Sequence, residues 1–351
     1  LRASRVNEPG KRWRVGIVAL GVAVVLTSCV NRRVVVPRSS GPAMSAVPAD
    51  LEPFDYEKAP LPLTNHDLGH KGDYEVKAVS FPSSGHNGQA DNRVTARYYR
   101  GRGPGRKPLV IVLPIWGSRH LYPAKKMTRV LRSGFDGDAN VMHLDGSEPL
   151  VDFNAMGTAE DVATFRVTIA RMAEQCRVSI IDIRRILDWA ETQPDIDPER
   201  IALIGFSVGA IVAADAALVD PRLAATVLVM GAADPATIIA EAEGAAKRNR
   251  ELILERFGWT QERYHQEVEA AFGFLDPARM GGRVDPARVL IFDAARDERM
   301  PQTTRDALWE AMGRPERITL QYKHGYAFFS MSPLGKNYTT DRIYRFLEET
   351  L

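Results

Sequence analysis

An α/β fold built on a doubly wound, mostly parallel sheet with a helical cap insertion is what this sequence predicts, on three observations. From residue 108 onward, strand-like apolar runs alternate with helical patterns at the spacing of βα units. The run Pro108-Leu109-Val110-Ile111-Val112-Leu113 is continuously apolar, as a strand buried on both faces of a parallel sheet must be. Residues 234–286 then break the alternation, holding helical runs around 238–246, 250–256 and 262–271 between two core strands, which places them as a cap over the crevice at the strand ends.

Composition permits this and excludes other classes. With 351 residues, 45% of them hydrophobic and 26% charged, the chain is long enough for one large core. Its net charge of +2 is misleading, because five of the 46 basic side chains but only one of the 44 acidic ones fall in residues 1–29. The remainder holds 41 basic against 43 acidic side chains, a net of −2 without a basic tract, which argues against a nucleic-acid partner.

The elements follow in order. Residues 1–29 open with Arg2, Arg5, Lys11, Arg12 and Arg14, continue with an apolar run over 15–26, and end in Leu26-Thr27-Ser28-Cys29. A basic segment, a short apolar core and small residues read as a secretory signal, the core being shorter than the ~20 residues that span a bilayer. Residues 30–72 carry Pro37, Pro42, Pro48, Pro53, Pro60 and Pro62 and read as an extended, loosely packed tether. The pair His66 and His70 within it is not expected to bind metal, since Gly69 and the lack of helical periodicity keep them off a common helix face.

The body, residues 73–351, starts with an edge strand pair at 74–81 and 93–99. After the strand at 108–113 come a helix at 124–133, a strand at 139–144, and one or two helices over 160–190. A strand at 199–206 and a helix at 208–218 follow, then a strand at 224–230 and the insert. Strands at 288–292 and 317–322 flank a helix at 303–312, and a helix at 340–347 closes the chain. Phe165, Ile169, Met172, Cys176, Ile180, Ile183 and Leu187 step by three and four, one apolar helix face, so Cys176 reads as a buried structural thiol. With Cys29 set aside it has no partner in the chain, which excludes a disulfide framework.

The chemistry concentrates at strand ends. Gly205-Phe206-Ser207-Val208-Gly209 joins an apolar strand to a small, apolar helix. A serine on such a sharp turn stands clear of the sheet, and the helix start behind it offers backbone N–H groups to a developing oxyanion. Serine is a poor nucleophile unless a base lies within hydrogen-bond reach and a carboxylate orients that base. Downstream, His324 follows the strand 317–322, and Asp297 lies in the loop after the strand 288–292. Asp297 is favoured over Asp293 because a loop position lets its carboxylate cross to the histidine; Asp293 reads as a turn former, and Glu298 is the third carboxylate there. Val208 N–H is the first expected oxyanion donor, and Trp116 or Ile115, in the loop after Leu113, the second. The Trp116 indole would either wall the substrate pocket or pack in the core. Arg119 and His120 follow and read as solvated.

Two resemblances attach to these residues. Leu26-Thr27-Ser28-Cys29 resembles the lipobox of bacterial lipoproteins, which implies cleavage before Cys29, lipidation of Cys29 and anchoring in the cell envelope facing the periplasm or exterior, with Val30 pointing to the outer membrane. The Gly205–Gly209 motif, Asp297-Glu298-Arg299-Met300-Pro301 and His324-Gly325-Tyr326 resemble the α/β-hydrolase superfamily. Pro194, Asp197, Pro198, Arg200 and Ile201, leading into the motif, are similar to the dienelactone hydrolase and prolyl-oligopeptidase-like branch. The resemblance covers about residues 75–350 and implies Ser207 as nucleophile, Asp297 as acid and His324 as base. It departs where Pro114-Ile115 replaces the His-Gly that commonly starts the oxyanion loop. The nucleophilic cysteine of dienelactone hydrolase itself is absent from the motif, which implies an ester instead of an enol-lactone, a small-molecule or lipid carboxylic ester; the triad chemistry needs neither metal nor organic cofactor. A peptidase, thioesterase or acyltransferase would use the same triad, and a lipoprotein keeping the fold only for binding would carry it idle.

Overall fold

The computed structural model describes residues 33–41, 44–85, 92–117, 122–146, 148–331 and 338–351. Residues 1–29, expected as a secretory signal with Cys29, and Arg119 and His120, lie outside the described residues. In chain order the strands are β1 (Arg33–Val36), β2 (Thr64–His70), β3 (Tyr74–Pro82), β4 (Arg93–Gly101), β5 (Lys107–Val112), β6 (Asn140–Leu144), β7 (Ile196–Phe206), β8 (Ala225–Val229), β9 (Val289–Ala294) and β10 (Glu316–Leu320). All join one sheet in the order β1-β10-β9-β8-β7-β5-β6-β4-β3-β2. The strands from β6 to β10 through β5 pair in parallel, and the remaining four add antiparallel at the two edges.

Every residue of β5, β6, β8 and β9 is buried, which is why these strands are mainly apolar. The two-residue side-chain period sorts them onto two faces. Leu109, Ile111, Leu203, Leu228 and Ile291 meet the helices α3 (Val162–Glu191) and α4 (Val208–Val219). Val110, Val112, Ile204, Val227 and Phe292 meet α1 (Tyr122–Phe135) and α10 (Tyr338–Thr350) on the other side. The stretch expected as one or two helices is the single helix α3, whose N-terminus is capped by the Asp161 carboxylate accepting from Thr164 N at 2.7 Å. Its apolar stripe from Phe165 to Leu187, Cys176 included, lies wholly in the core.

The insert contains α5 (Pro235–Glu241), α6 (Ala245–Phe257) and α7 (Gln261–Phe272), followed by short 3₁₀ turns. It is pinned to α3. Arg166 Nε and Nη2 donate to the two carboxylate oxygens of Glu267 at 2.7 and 2.6 Å. Phe165 sits among Phe257, Trp259 and Tyr264 at centroid distances of 6.2, 5.5 and 5.7 Å. The short helix α2 (Phe153–Gly157) packs on α6.

The segment 30–72, expected as a loose tether, belongs to the packed body from Arg33 on. β1 pairs with β10 at one sheet edge and β2 with β3 at the other, so the intervening chain crosses the molecule. Phe54 is 1% exposed and stacks near Phe274. Arg177 and Arg184 of α3 donate to the carbonyls of Pro53 and Phe54 at 2.8 and 2.6 Å, and Tyr56 Oη donates to Asp188 at 2.7 Å. The prolines stiffen an ordered strap whose backbone groups are satisfied by distant side chains. His66 and His70 lie on the exposed edge strand β2, and no group of three or more metal-ligating side chains occurs among the described residues. No described helix is long and apolar enough to cross a membrane.

Candidate active site

Ser207 sits between the last residue of β7 and the first of α4, with φ +54° and ψ −120°. An L-residue is rarely held there, and strain of this kind persists only where its surroundings enforce it. Ser207 N donates to Val229 O of β8 at 2.8 Å, while the chain turns at once into α4. Glycine at 205 and 209 makes the turn possible. A Cβ on Gly205 would lie 2.1 Å from Gly209 O, and one on Gly209 would lie 2.3 Å from Pro114 O. The second distance also places the Pro114–Gly117 loop directly against the turn.

Three strand ends bring three side chains together. Ser207 Oγ lies 2.9 Å from His324 Nε2, and His324 Nδ1 lies 2.7 Å from Asp297 Oδ2. His324 opens α9 (His324–Ala327), just beyond β10. Asp297 Oδ1 accepts from the N–H groups of Arg299 and Met300 at 2.9 and 3.0 Å. The His324 and Asp297 side chains are 2% and 0% exposed, so water does not compete for this chain of hydrogen bonds. An ionised carboxylate offers only lone pairs, so Nδ1 carries the proton and Nε2 is left to accept from the serine hydroxyl. Phe328 meets the imidazole edge-on at 5.6 Å. The arrangement can draw a proton off Ser207 Oγ while holding the resulting imidazolium in place.

The other carboxylates of the loop do different work. Asp293, expected as a turn former, is 1% exposed and accepts from Arg305 at 3.1 Å and from Arg317 at 2.9 and 2.5 Å. It anchors α8 (Gln302–Ala311) and β10 to β9 through a buried ion cluster. Glu298 Oε2 accepts from His324 N at a long 3.4 Å.

Val208 is the first residue of α4, so its N–H has no acceptor within the helix. Ile115 and Trp116 lie in the loop held at one end by Leu113 N–Ile204 O, 2.8 Å, and at the other by Gly117 N–Gly146 O, 3.1 Å. The Trp116 indole does not wall the pocket at Ser207. It packs on the core and lines a separate cavity of about 200 Å³ with Leu144, Gly146 and Pro149.

The cavity that contains Ser207 has a volume of about 330 Å³ and runs between α4 and the cap. Ile238, Ile239, Phe272 and Leu275 of the insert cover it. A larger cavity of about 680 Å³ beside Lys58 and Trp189 lies away from Ser207, His324 and Asp297. Sequence reasoning missed Asp215, which lines the Ser207 cavity; its signal was being the one charged residue in the helix 208–219. Cys176 lines the same cavity, and burial pushes its thiol up to about 12, in keeping with an inert structural role.

No protein-family model matches the chain, and no curated protein sequence matches it. Solved structures do. An acetyl xylan esterase from Paenibacillus sp. R4 superposes with a TM-score of 0.60 at 18% identity, over 84% of this chain and 90% of that one. Acetyl xylan esterase 1 from Thermoanaerobacterium sp. JW/SL YS485 superposes with a TM-score of 0.63 at 15% identity, over 88% of this chain and 96% of that one. The fold is the α/β-hydrolase fold with a helical cap insertion. At these identities the likeness speaks to architecture alone.

Proposed function

We propose that the chain is a serine hydrolase that cleaves a carboxylic ester through an acyl-enzyme. The observation that carries this reading is the buried, continuous hydrogen-bond chain Ser207–His324–Asp297 at the ends of three strands. Ser207 Oγ attacks the acyl carbon as His324 takes its proton, and a tetrahedral intermediate forms. Val208 N–H and one N–H of the Ile115–Trp116 pair face the oxyanion, a pair of donors of which each is worth ~10²–10³ in kcat. His324 passes the proton to the leaving alcohol, then activates a water that releases the acid and restores the serine. Asp297 keeps the imidazole in the productive tautomer throughout.

Labelling of the purified protein with a fluorophosphonate, beside Ser207→Ala and His324→Ala, tests the reading. Labelling confined to the wild type supports it; an unlabelled, well-folded wild type sinks it. An ester panel defines the substrate class. Acetylated xylan fragments belong in that panel because the two structural neighbours are named as acetyl xylan esterases.

The proposal extends to location, on the strength of Leu26-Thr27-Ser28-Cys29. Lipidation of Cys29 would fix the enzyme to the bacterial envelope. With β1 starting at Arg33, only residues 30–32 separate anchor and body, a reach of about 10 Å. The enzyme would sit against the membrane surface instead of swinging from it. Incorporation of a clickable fatty acid, abolished by Cys29→Ala, is the expected result; incorporation that survives Cys29→Ala, or none in the wild type, rejects the anchor.

A further inference from the structure

The cavity beside Ser207 is mostly apolar, and its charged lining residues are Asp215 on α4 and the group Glu243, Glu298 and Arg299. That group sits by His324, since the Glu298 side chain accepts from His324 N and the Glu298 carbonyl from Glu243 N. Ile211 and Asp215 lie four apart on one face of α4, Ser207 is the residue just before that helix four positions earlier, and all three line the cavity. Ser207 and Asp215 are about 12 Å apart along the helix axis. Between them the walls are Val208, Ile211 and Val212 from α4 and apolar side chains of the cap.

Asp215 is 2% exposed, and its Oδ1 has no hydrogen-bond partner among the described residues. A buried carboxyl oxygen left unmatched in a helix otherwise made of Val, Ala, Ile, Leu and Gly calls for an explanation. Packing does not supply one, since an aliphatic side chain would fill the position without the desolvation cost. The titratable groups that interact with it electrostatically are Cys176 from α3 and Asp276 from the 3₁₀ turns after α7. Neither carries a positive charge. Burial first, and the Asp276 carboxylate second, hold the Asp215 carboxyl well above the usual carboxylate range. In its protonated form it both donates and accepts a hydrogen bond, the pattern a hydroxyl matches.

We infer that the part of the substrate filling this cavity is an apolar chain about two helical turns long that ends in a hydroxyl, held by Asp215 at the far end from Ser207. The inference rests on the proposed role of Ser207. It makes Asp215 a specificity residue, selecting hydroxyl-terminated over plain chains of the same length.

The test compares kcat/KM for esters with and without a terminal hydroxyl. One series places the chain in the acyl part, as 4-nitrophenyl esters of alkanoic and ω-hydroxyalkanoic acids. The other places it in the alcohol part, as acetates of alkanols and of α,ω-diols. Chain lengths run from about four to twelve carbons, bracketing the ~12 Å span. In one series, at a defined length, the wild type should prefer the hydroxylated ester on the order of 10²-fold or more, as sites built around a hydroxyl do. Asp215→Leu should bring that ratio to one or below, and Asp215→Asn, which still donates and accepts, should retain part of it. The ratio is internal to each protein, so a lower active fraction does not affect it. Should Asp215→Leu fail to fold, Asp215→Ala is read in the same way.

A ratio near one at every length in both series overturns the inference, as does a preference that survives Asp215→Leu. Preference for a terminal ammonium over a hydroxyl overturns it too, because the carboxyl would then be ionised. Absence of fluorophosphonate labelling in the wild type marks failure of the hydrolase reading itself, and the inference falls with it.

Discussion

Asp297 is held on both of its oxygens: Oδ2 lies 2.7 Å from His324 Nδ1, while Oδ1 accepts from Arg299 N and Met300 N at 2.9 and 3.0 Å. The backbone bonds fix the carboxylate before any substrate arrives, and the carboxylate fixes the ring. Asp297→Asn keeps the shape but can present an N–H to Nδ1, which favours the wrong tautomer and leaves Nε2 protonated. Turnover of the best ester is expected to fall by ~10⁴ with little change in melting temperature. Near-normal turnover would remove Asp297 from the proposed mechanism.

Asp293, four residues earlier, should behave in the opposite way. It faces Arg305 and Arg317, whose side chains are 4% and 9% exposed. Removing one member of a buried ion cluster strands the others and costs ~3–5 kcal/mol. Asp293→Ala is therefore expected to lower the melting temperature clearly, while Ser207 of the folded fraction still reacts with a fluorophosphonate. A melting temperature equal to that of the wild type would show that the cluster contributes nothing to stability.

Where the sequence was legible follows from what kind of signal each feature leaves. The sheet was legible because strands buried on both faces are dominated by apolar residues, as β5, β6, β8 and β9 are, with Lys107, Asn140, His143, Thr226 and Asp293 the polar exceptions. The positions of Ser207, Asp297 and His324 were legible because each lies just past an apolar strand, and parallel strands end on the same side of a sheet. Segment 30–72 was misread because proline and polar residues signal its lack of long regular elements. They say nothing of Arg177, Arg184 and Asp188, more than a hundred residues away, which hold it down. Asp293 was misread for the same reason: its arginine partners come from a helix and a neighbouring strand, and local turn chemistry cannot show them. Asp215 was passed over inside an apolar helix because a period shows which face is buried, not that a cavity opens on it.

Gly209 ties the turn at Ser207 to the loop expected to supply the second oxyanion donor. A methyl group there would lie 2.3 Å from Pro114 O, so either the start of α4 or the Pro114–Gly117 loop must move. Overpacking of this kind costs ~1–3 kcal/mol. The larger effect is expected on rate, with kcat/KM of Gly209→Ala down ~10²–10³ because the donor pair loses its spacing. Rates at the wild-type level would mean that the second donor comes from elsewhere.

The fully buried carboxyl of Asp215 gives a readout of its own in stability against pH. Its folded-state pKa is raised well above 3.8, first by burial and then by Asp276, whereas in the unfolded chain it titrates near the ordinary value. Between those two pKa values the native state binds more protons than the unfolded state. Stability from this group is thus fully present below the unfolded pKa and is lost as pH rises through the folded one. Asn cannot ionise, so Asp215→Asn lacks that slope. Asp182, also raised, is present in both proteins and cancels in the comparison. The melting temperature of Asp215→Asn minus that of the wild type is expected to grow as pH rises above the ordinary carboxylate range toward the raised folded pKa, read over a series at and above about pH 5. A difference constant over that range would place the carboxyl in contact with water or with a cation and remove the basis for its role as a hydroxyl-binding group.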